Sequence, residues 1–307
     1  MTASATAAPP RAAPLRDPKP PLRVRARSAL LTAGLLAGAG FWYLFLLVIP
    51  LAIVVLFSFG NRAENGGYAG GFTLNNFATA WAFPDPFRTS LIMASAGTVL
   101  CLLVGLPLAY YIATRAGRRK SLLIVLLVIP FWTSFLIRTY SWLIILGPNG
   151  AAGFIGDLIG DPSFRILGTP VAVLLGVVYG YLPLMVFPIY VTLERMDRSL
   201  VEASKDLGAG RWATFRQVTL PIILPGLITG SILVFIPMMG EYVIPQILGY
   251  GRVYLIGNAL VNEFLTARDW PGGAAKAVVL IFVMMLAISA YLWFTNRGRR
   301  TREVSVV

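Results

Sequence analysis

Long stretches without charged residues constrain the possible folds of this chain most strongly. A helix needs roughly 20 mostly apolar residues to cross the ~30 Å hydrocarbon core of a bilayer, and lipid offers no partner for open backbone groups. The apolar stretches predict six transmembrane helices, at residues 33–59, 89–114, 121–146, 169–193, 219–240 and 276–296. The sequence therefore indicates an all-α membrane protein.

The composition agrees with this class and excludes most of the chemistry of soluble enzymes. Of the 307 residues, 57% are hydrophobic and only 13% are charged, whereas soluble domains carry about 25% charged residues. The sequence has no His and one Cys, Cys101, which excludes a His-based triad, a Cys/His zinc site and a disulfide within the chain. We therefore expect this chain to bind no metal or cofactor.

The basic residues predict the topology, because Lys and Arg are retained on the cytoplasmic side of a membrane. Of the 26, 19 fall in the N-terminal tail, two loops and the C-terminal segment, which places both termini in the cytoplasm. Their position beside apolar stretches argues against nucleic-acid binding despite the net charge of +13. Residues 1–28 are predicted to be a disordered basic tail, and 29–307 the membrane domain. A signal peptide cleaved near 37–39 is the alternative, although the apolar stretch continues beyond it.

The inner loop at residues 194–221 mixes basic and acidic residues, which predicts an ordered helix-turn-helix. Ser199 and Glu202 have the spacing of a capping box at a helix start. Gly208, together with Gly210, is expected to end that helix, because glycine adopts the left-handed conformation without strain. The hairpin is expected either to rest on lipid headgroups or to dock a cytoplasmic partner.

The same loop carries a family signature, which reads Glu-Ala-Ala, three residues, Gly, nine residues and Ile-x-Leu-Pro. The matching residues here are Glu202, Ala203, Ser204, Gly208, Val218, Leu220 and Pro221. In this pattern the chain resembles the permease subunits of binding-protein-dependent ABC importers, with Ser204 replacing Ala and Val218 replacing Ile. Three stretches resemble the spermidine/putrescine-type branch of this family, namely PFWTSFLIRTYSW (130–142), YGYLP (179–183) and FIPMMGEYVIP (235–245).

The resemblance implies a type I ABC importer permease in the bacterial inner membrane. It implies alternating access for a putrescine-like or spermidine-like polyamine, moved from periplasm to cytoplasm. Expected partners are the lipid bilayer, a second homologous permease, a periplasmic or extracellular solute-binding protein, and a cytoplasmic ATPase dimer that uses ATP and Mg. The sequence has no phosphate-binding loop of its own. The residues implied in ATPase coupling are Glu202, Ala203, Ser204, Leu207, Gly208, Leu220 and Pro221.

Two ionisable residues within the apolar stretches are candidates for the solute pathway, since such residues are costly in a membrane. Glu241 is predicted about 30 Å along the fifth span, at its outer end. Beside Tyr242, it would attract a polyammonium solute by charge and cation–π contact. Alternatively, Glu241 bonds a loop amide or pairs with Arg252. Arg138 would repel such a solute unless it pairs with Glu241, bonds carbonyls freed by Pro130, or extends outward.

Aromatic residues near span ends are further candidates for the solute pathway, and interfacial anchoring is their alternative role. They are Trp132, Tyr140, Trp142, Tyr179 and Tyr181.

Other functions remain open at this point. The same importer architecture would serve an opine, a phosphonate or an amino-acid-like anion, with Arg138 as the main contact. The sequence fits two other classes of membrane protein less well. A stand-alone channel or secondary carrier needs no ordered cytoplasmic hairpin. A membrane-embedded enzyme needs catalytic groups, which the apolar stretches lack.

Overall fold

The structure is a computed structural model that describes residues 34, 37–38, 40–82 and 84–303, with side chains as far as Trp293. The chain divides into two compact units, Met1–Ile53 and Val54–Val307. Among the described residues, the only β pairing is an isolated bridge between Arg62 and Tyr68, so the predicted all-α class is confirmed. The predicted tail at 1–28 lies outside the described residues, as does Ala39 at the alternative cleavage site.

Helices account for most of the described chain. They are α1 (Gly40–Ser58), α2 (Asn75–Ala82), α3 (Pro84–Thr114), α4 (Gly117–Trp132), α5 (Phe135–Ile145), α6 (Ala151–Ile159), α7 (Pro170–Glu194), α8 (Ser199–Asp206), α9 (Arg211–Met239), α10 (Val243–Leu248), α11 (Ile256–Val261) and α12 (Trp270–Glu303). Five of them, α1, α3, α7, α9 and α12, are each long and apolar enough to cross a membrane. The bent pair α4 and α5 supplies a sixth span when counted as one.

The third predicted span differs from a single helix over 121–146. Helices α4 and α5 meet at residues 133–134 with a bend of 97°. Proline lacks the N–H that a continuous helix requires, and Pro130 lies in the 3₁₀ turn that ends α4. Arg138 Nη1 donates to the Pro130 carbonyl oxygen at 2.8 Å, and its guanidinium lies over the rings of Phe131 and Phe135. Arg138 therefore bonds across the bend to the carbonyl of Pro130 itself, not to a carbonyl that Pro130 frees.

Helices α3, α7 and α9 form the centre of the second unit. Their most buried side chains include Cys101, Met185, Val186, Ile189, Ile223 and Val234. Helices α7 and α9 approach closely at Gly226, where a Cβ would lie 2.5 Å from the Pro188 carbonyl oxygen and 2.3 Å from Thr192 Oγ1. Helices in lipid associate through such close packing of small residues, because burial from water contributes little there.

The packing of α9 against its neighbouring helices fixes the level at which α9 ends. Near that end, Met238 and Val177 of α7 both lie beside Gly97 of α3, 2.3 Å and 3.2 Å from the position that a Cβ there would occupy. Val177 lies seven residues, or about 10 Å, from the outer start of α7. The short helix α10 then continues outward, and its last residue, Leu248, accepts the backbone N–H of Gly168 at 2.8 Å. From Leu220 to Met239 the helix has 20 residues, or about 30 Å, so Glu241 follows at the distance that the length count predicts, and α10 extends the chain beyond it.

The contact at Gly226 generates a stability prediction. Gly226→Ala inserts a methyl group against a backbone carbonyl, which we expect to destabilise the protein by about 1–3 kcal/mol. The matched control is Gly180→Ala in α7, where a Cβ meets only Ile244 Cδ1 at 3.9 Å. Thermal unfolding in detergent should show a lower Tm for Gly226→Ala alone. Equal Tm values for the two variants would contradict the proposed close contact.

Candidate functional site

A break in the fifth span, at residues 240–242, separates α9 from α10. Glu241 Oε1 accepts the backbone N–H groups of Val243 at 2.9 Å and Ile244 at 3.3 Å. Glu241 Oε2 accepts the hydroxyl of Tyr181 on α7. An amide without a partner costs several kcal/mol in hydrocarbon, so this carboxylate satisfies donors that the break would otherwise leave open. Glu241 is only 7% exposed.

The other side of the break is held by Asn258 on α11. Its amide Nδ2 donates to the Tyr242 carbonyl oxygen at 3.1 Å and to Gln246 Oε1 at 3.2 Å. The start of α11 is fixed in turn by α3, since Ser90 Oγ accepts the backbone N–H of Ile256 at 2.8 Å. Sequence reasoning missed Asn258. Its signal is an amide among apolar residues in the segment between the fifth and sixth spans, and that pattern does not reveal contact with another segment.

The charge of Glu241 is not compensated by a basic side chain in the described part of the chain. Neither ion pair found there includes Glu241. Arg138 is bonded at the bend between α4 and α5. Arg252 lies beside Gly168, at the outer end of α7. The bond to loop amides that the sequence allowed is therefore present, and the ion pair with Arg252 is not formed.

The structure separates the aromatic candidates into groups. Tyr242 follows Glu241 directly in the break and is 44% exposed. Tyr179 of α7 packs edge-on against Trp142 of α5, with ring centroids 5.6 Å apart. Trp132 and Tyr140 are both exposed on the bent pair of helices, as expected of residues that face lipid or another subunit. Of the aromatic residues predicted for the pathway, Tyr181 thus binds the Glu241 carboxylate through its hydroxyl, and Tyr242 follows Glu241 directly in the chain.

A second candidate site lies in the inner loop, where α8 begins without the predicted capping box. Asp197 Oδ1 accepts the backbone N–H of Ser199 at 2.9 Å, and this bond lowers the pKa of Asp197 below its ordinary value. No side chain caps the helix at Arg198. The capping box is therefore wrong, because the carboxylate two residues upstream, a stronger acceptor than a hydroxyl, takes the first amide.

The end of α8 agrees with the sequence. Gly208 has φ +84°, the left-handed conformation that ends a helix. Gly210 does not share this role, since with φ −67° it precedes the first turn of α9. Ser204 Oγ lies 3.1 Å from Thr214 Oγ1, which joins α8 to α9 by a hydrogen bond. Ser204, the departure from the family signature, thus has a structural role.

Helix α8 and the start of α9 enclose a cleft of about 650 Å³. Its lining comprises Leu200, Ala203, Ser204, Leu207, Gly208, Ala209, Ala213, Gln217 and Val218. Leu207 and Trp212 are 89% and 73% exposed, an unusual degree for large apolar residues. Glu202 is exposed in the first turn of α8, whereas Leu220 and Pro221 are half-buried in α9. The π-helical turn Phe215–Thr219 within α9 was not predicted.

The chain has membrane-spanning helices packed around a polar break, and an apolar cleft is exposed on its predicted cytoplasmic face. These features are typical of a membrane transport permease. Residues 102–303 match the family described as binding-protein-dependent transport system inner membrane component. The chain belongs to this family. The match confirms the resemblance found in the sequence and the predicted location in the inner membrane.

Individual relatives agree with this assignment. The spermidine/putrescine transport system permease protein PotB of Haemophilus influenzae is 37% identical over 254 residues, covering 81% of this chain and 89% of that protein. PotB of Escherichia coli K12 is 37% identical over 261 residues, covering 83% and 94%. The crystal structure of a bacterial ABC transporter involved in alginate import aligns with a TM-score of 0.64 at 17% identity, covering 90% of this chain and 98% of that one. The predicted permease fold is thereby confirmed.

Proposed function

We propose that this chain is a permease subunit of an ATP-driven importer that moves a polyamine such as putrescine or spermidine from periplasm to cytoplasm. The similarity to the PotB proteins supports the solute class. The structural observation that carries the proposal is the uncompensated carboxylate of Glu241 at a helix break inside the membrane. The proposed assembly contains a second permease, a solute-binding protein and an ATPase dimer that hydrolyses ATP with Mg.

A cation is the solute that this break favours. Helix breaks inside a membrane provide polar groups at the depth where transporters bind solutes. A charge in a medium of low dielectric acts over a longer distance than in water, so the buried Glu241 attracts an ammonium group without direct contact. The exposed ring of Tyr242 adds a cation–π surface beside it. Arg138 already contacts the Pro130 carbonyl and two aromatic rings, so it is less available to bind an anion.

The cleft at α8 is suited to receive the ATPase. Its apolar residues are exposed on the predicted cytoplasmic face, and the bond between Ser204 and Thr214 fixes α8 to the first turn of α9. Helix α9, which includes the π-helical turn, then extends for 29 residues, or about 43 Å. Its far end is the break that contains Glu241. A displacement imposed at the cleft is therefore transmitted along α9 to the proposed solute site, which is the coupling that alternating access requires.

Uptake by intact cells tests the solute class. We expect deletion of the gene to abolish uptake of labelled putrescine or spermidine, and a plasmid copy to restore it. Unchanged uptake in a strain without other polyamine importers would contradict the polyamine assignment. A transporter for an anion such as an opine or a phosphonate would then be the second candidate.

The charge of Glu241 is tested by Glu241→Gln. The amide oxygen of Gln still accepts the N–H groups of Val243 and Ile244, so the break is retained while the negative charge is lost. We expect the KM for putrescine to rise about 10-fold, the equivalent of ~1.4 kcal/mol. Asp157→Asn, which removes an exposed carboxylate of α6, is the control and should leave KM unchanged. An unaltered KM in Glu241→Gln would argue against electrostatic recognition.

Coupling is tested at α8 by Glu202→Lys and Gly208→Asp. The first reverses a charge on the exposed helix, and the second forces a side chain into a left-handed position. Both should abolish uptake while leaving the chain in the membrane at its normal level. Gly210→Asp is the control, because position 210 has ordinary φ and open space around it. Normal uptake in both coupling variants would refute the assignment of the cleft.

A further inference from the structure

A second cleft, of about 420 Å³, lies at the end of the second unit opposite to the cleft at α8. It is bounded by the end of α5, the segment between α6 and α7, and the turn that follows α10. Its lining includes Leu146, Phe164, Arg165, Gly168, Tyr250 and Arg252. These segments connect the ends of helices that the basic residues predict to face outward. Arginine is the only charged residue type in the lining, and both arginines are exposed.

The backbone fixes one of the two arginines in place. The turn is closed by bonds from Gly249 N to the Pro245 carbonyl oxygen and from Arg252 N to the Gly249 carbonyl oxygen, each 2.9 Å. The buried Val253 anchors its far end. Arg252 then extends across Gly168, where a Cβ would lie 3.5 Å from Arg252 Cδ. The guanidinium is therefore presented from a rigid support rather than from a free loop.

The two positive charges lack an acidic counterpart in the structure. Within residues 40–82 and 84–303, neither Arg165 nor Arg252 belongs to an ion pair. The nearby carboxylate of Asp161 accepts the backbone N–H and the hydroxyl of Ser163 instead. Two like charges that line one cleft repel each other, and a bound carboxylate would relieve that repulsion. Arginine also binds carboxylates through paired hydrogen bonds, which lysine does not provide.

We infer that this outer cleft receives an Asp or Glu side chain of the solute-binding protein when that protein docks on the permease. The inference rests on the proposed function, which supplies a soluble partner on the outer face. The polyamine itself does not fit the cleft, because the two arginines repel a polycation. Phe164 and Tyr250 provide partly apolar walls beside the two arginines.

The position of the cleft also connects docking to the solute site. Arg252 belongs to the turn that directly follows α10, and Glu241 caps the opposite end of α10. Helix α10 has six residues, so about 9 Å separates its two ends. A carboxylate that binds Arg252 therefore acts on the same short helix whose other end forms the break in the fifth span.

The test is a titration of labelled solute-binding protein against the complete importer in lipid nanodiscs. The variant is Arg165→Ala together with Arg252→Ala. The control is Arg268→Ala, which removes an exposed arginine outside the cleft. We expect the double variant to bind about 10-fold more weakly or worse, and the control to bind as the wild type does. Raising the salt from ~50 to ~500 mM should weaken docking more in the wild type than in the double variant.

Each of the other outcomes contradicts either the docking assignment or the proposed function. Equal affinity in the double variant, with its salt dependence retained, refutes the docking assignment. Equal losses in the double variant and in Arg268→Ala show a general effect of surface charge, and also refute it. A loss that disappears when the nanodiscs lack anionic lipid assigns the cleft to lipid phosphate. If the wild-type importer does not bind any solute-binding protein, the proposed function fails as well.

Discussion

The carboxylate of Glu241 resolves a constraint that the membrane imposes on the break between α9 and α10. Two backbone N–H groups at the start of α10 would otherwise lie in the bilayer without partners, and the carboxylate accepts both. The hydroxyl of Tyr181 binds the same carboxylate and connects the break to α7. Asn258 holds the Tyr242 carbonyl from the other side. A negative charge is thus built into the fifth span as part of its backbone structure.

The segment from α8 to the turn after α10 links three regions that differ in chemistry. Its inner end contributes the apolar cleft at α8, where Leu207 is almost fully exposed. Its middle contains the acidic break, and its outer end presents Arg252 at a cleft of positive charge. Helix α9 connects these regions, packs tightly on α7 at Gly226, and contains a π-helical turn at Phe215–Thr219 and two internal prolines, Pro225 and Pro237. Under the proposed function, α9 is the element that connects the cleft at α8 with the acidic break.

The amino-acid sequence predicts the parts of this structure that depend on local patterns. Apolar stretches predict the spans, and Gly208 predicts the end of α8, because each follows from nearby residues. Predictions that depend on alternative partners or on distant contacts were less successful. The carboxylate of Asp197 accepts the first amide of α8 and no capping box forms at Ser199, although the sequence pattern offers both residues as acceptors. The partners of Glu241 on α7 and the bend at 133–134 follow from contacts between distant or bent segments, which the sequence pattern does not reveal.

The central claim is that the break at 240–242 exposes a site for cations inside the membrane, and cysteine labelling tests it directly. Cys101 is fully buried, so the native chain provides a low background. In a Tyr242→Cys variant, a positively charged thiol reagent added from outside should react faster than a negatively charged one of similar size. Putrescine should slow that reaction. Equal rates for the two reagents, or labelling that putrescine does not change, would contradict a cation site at this break.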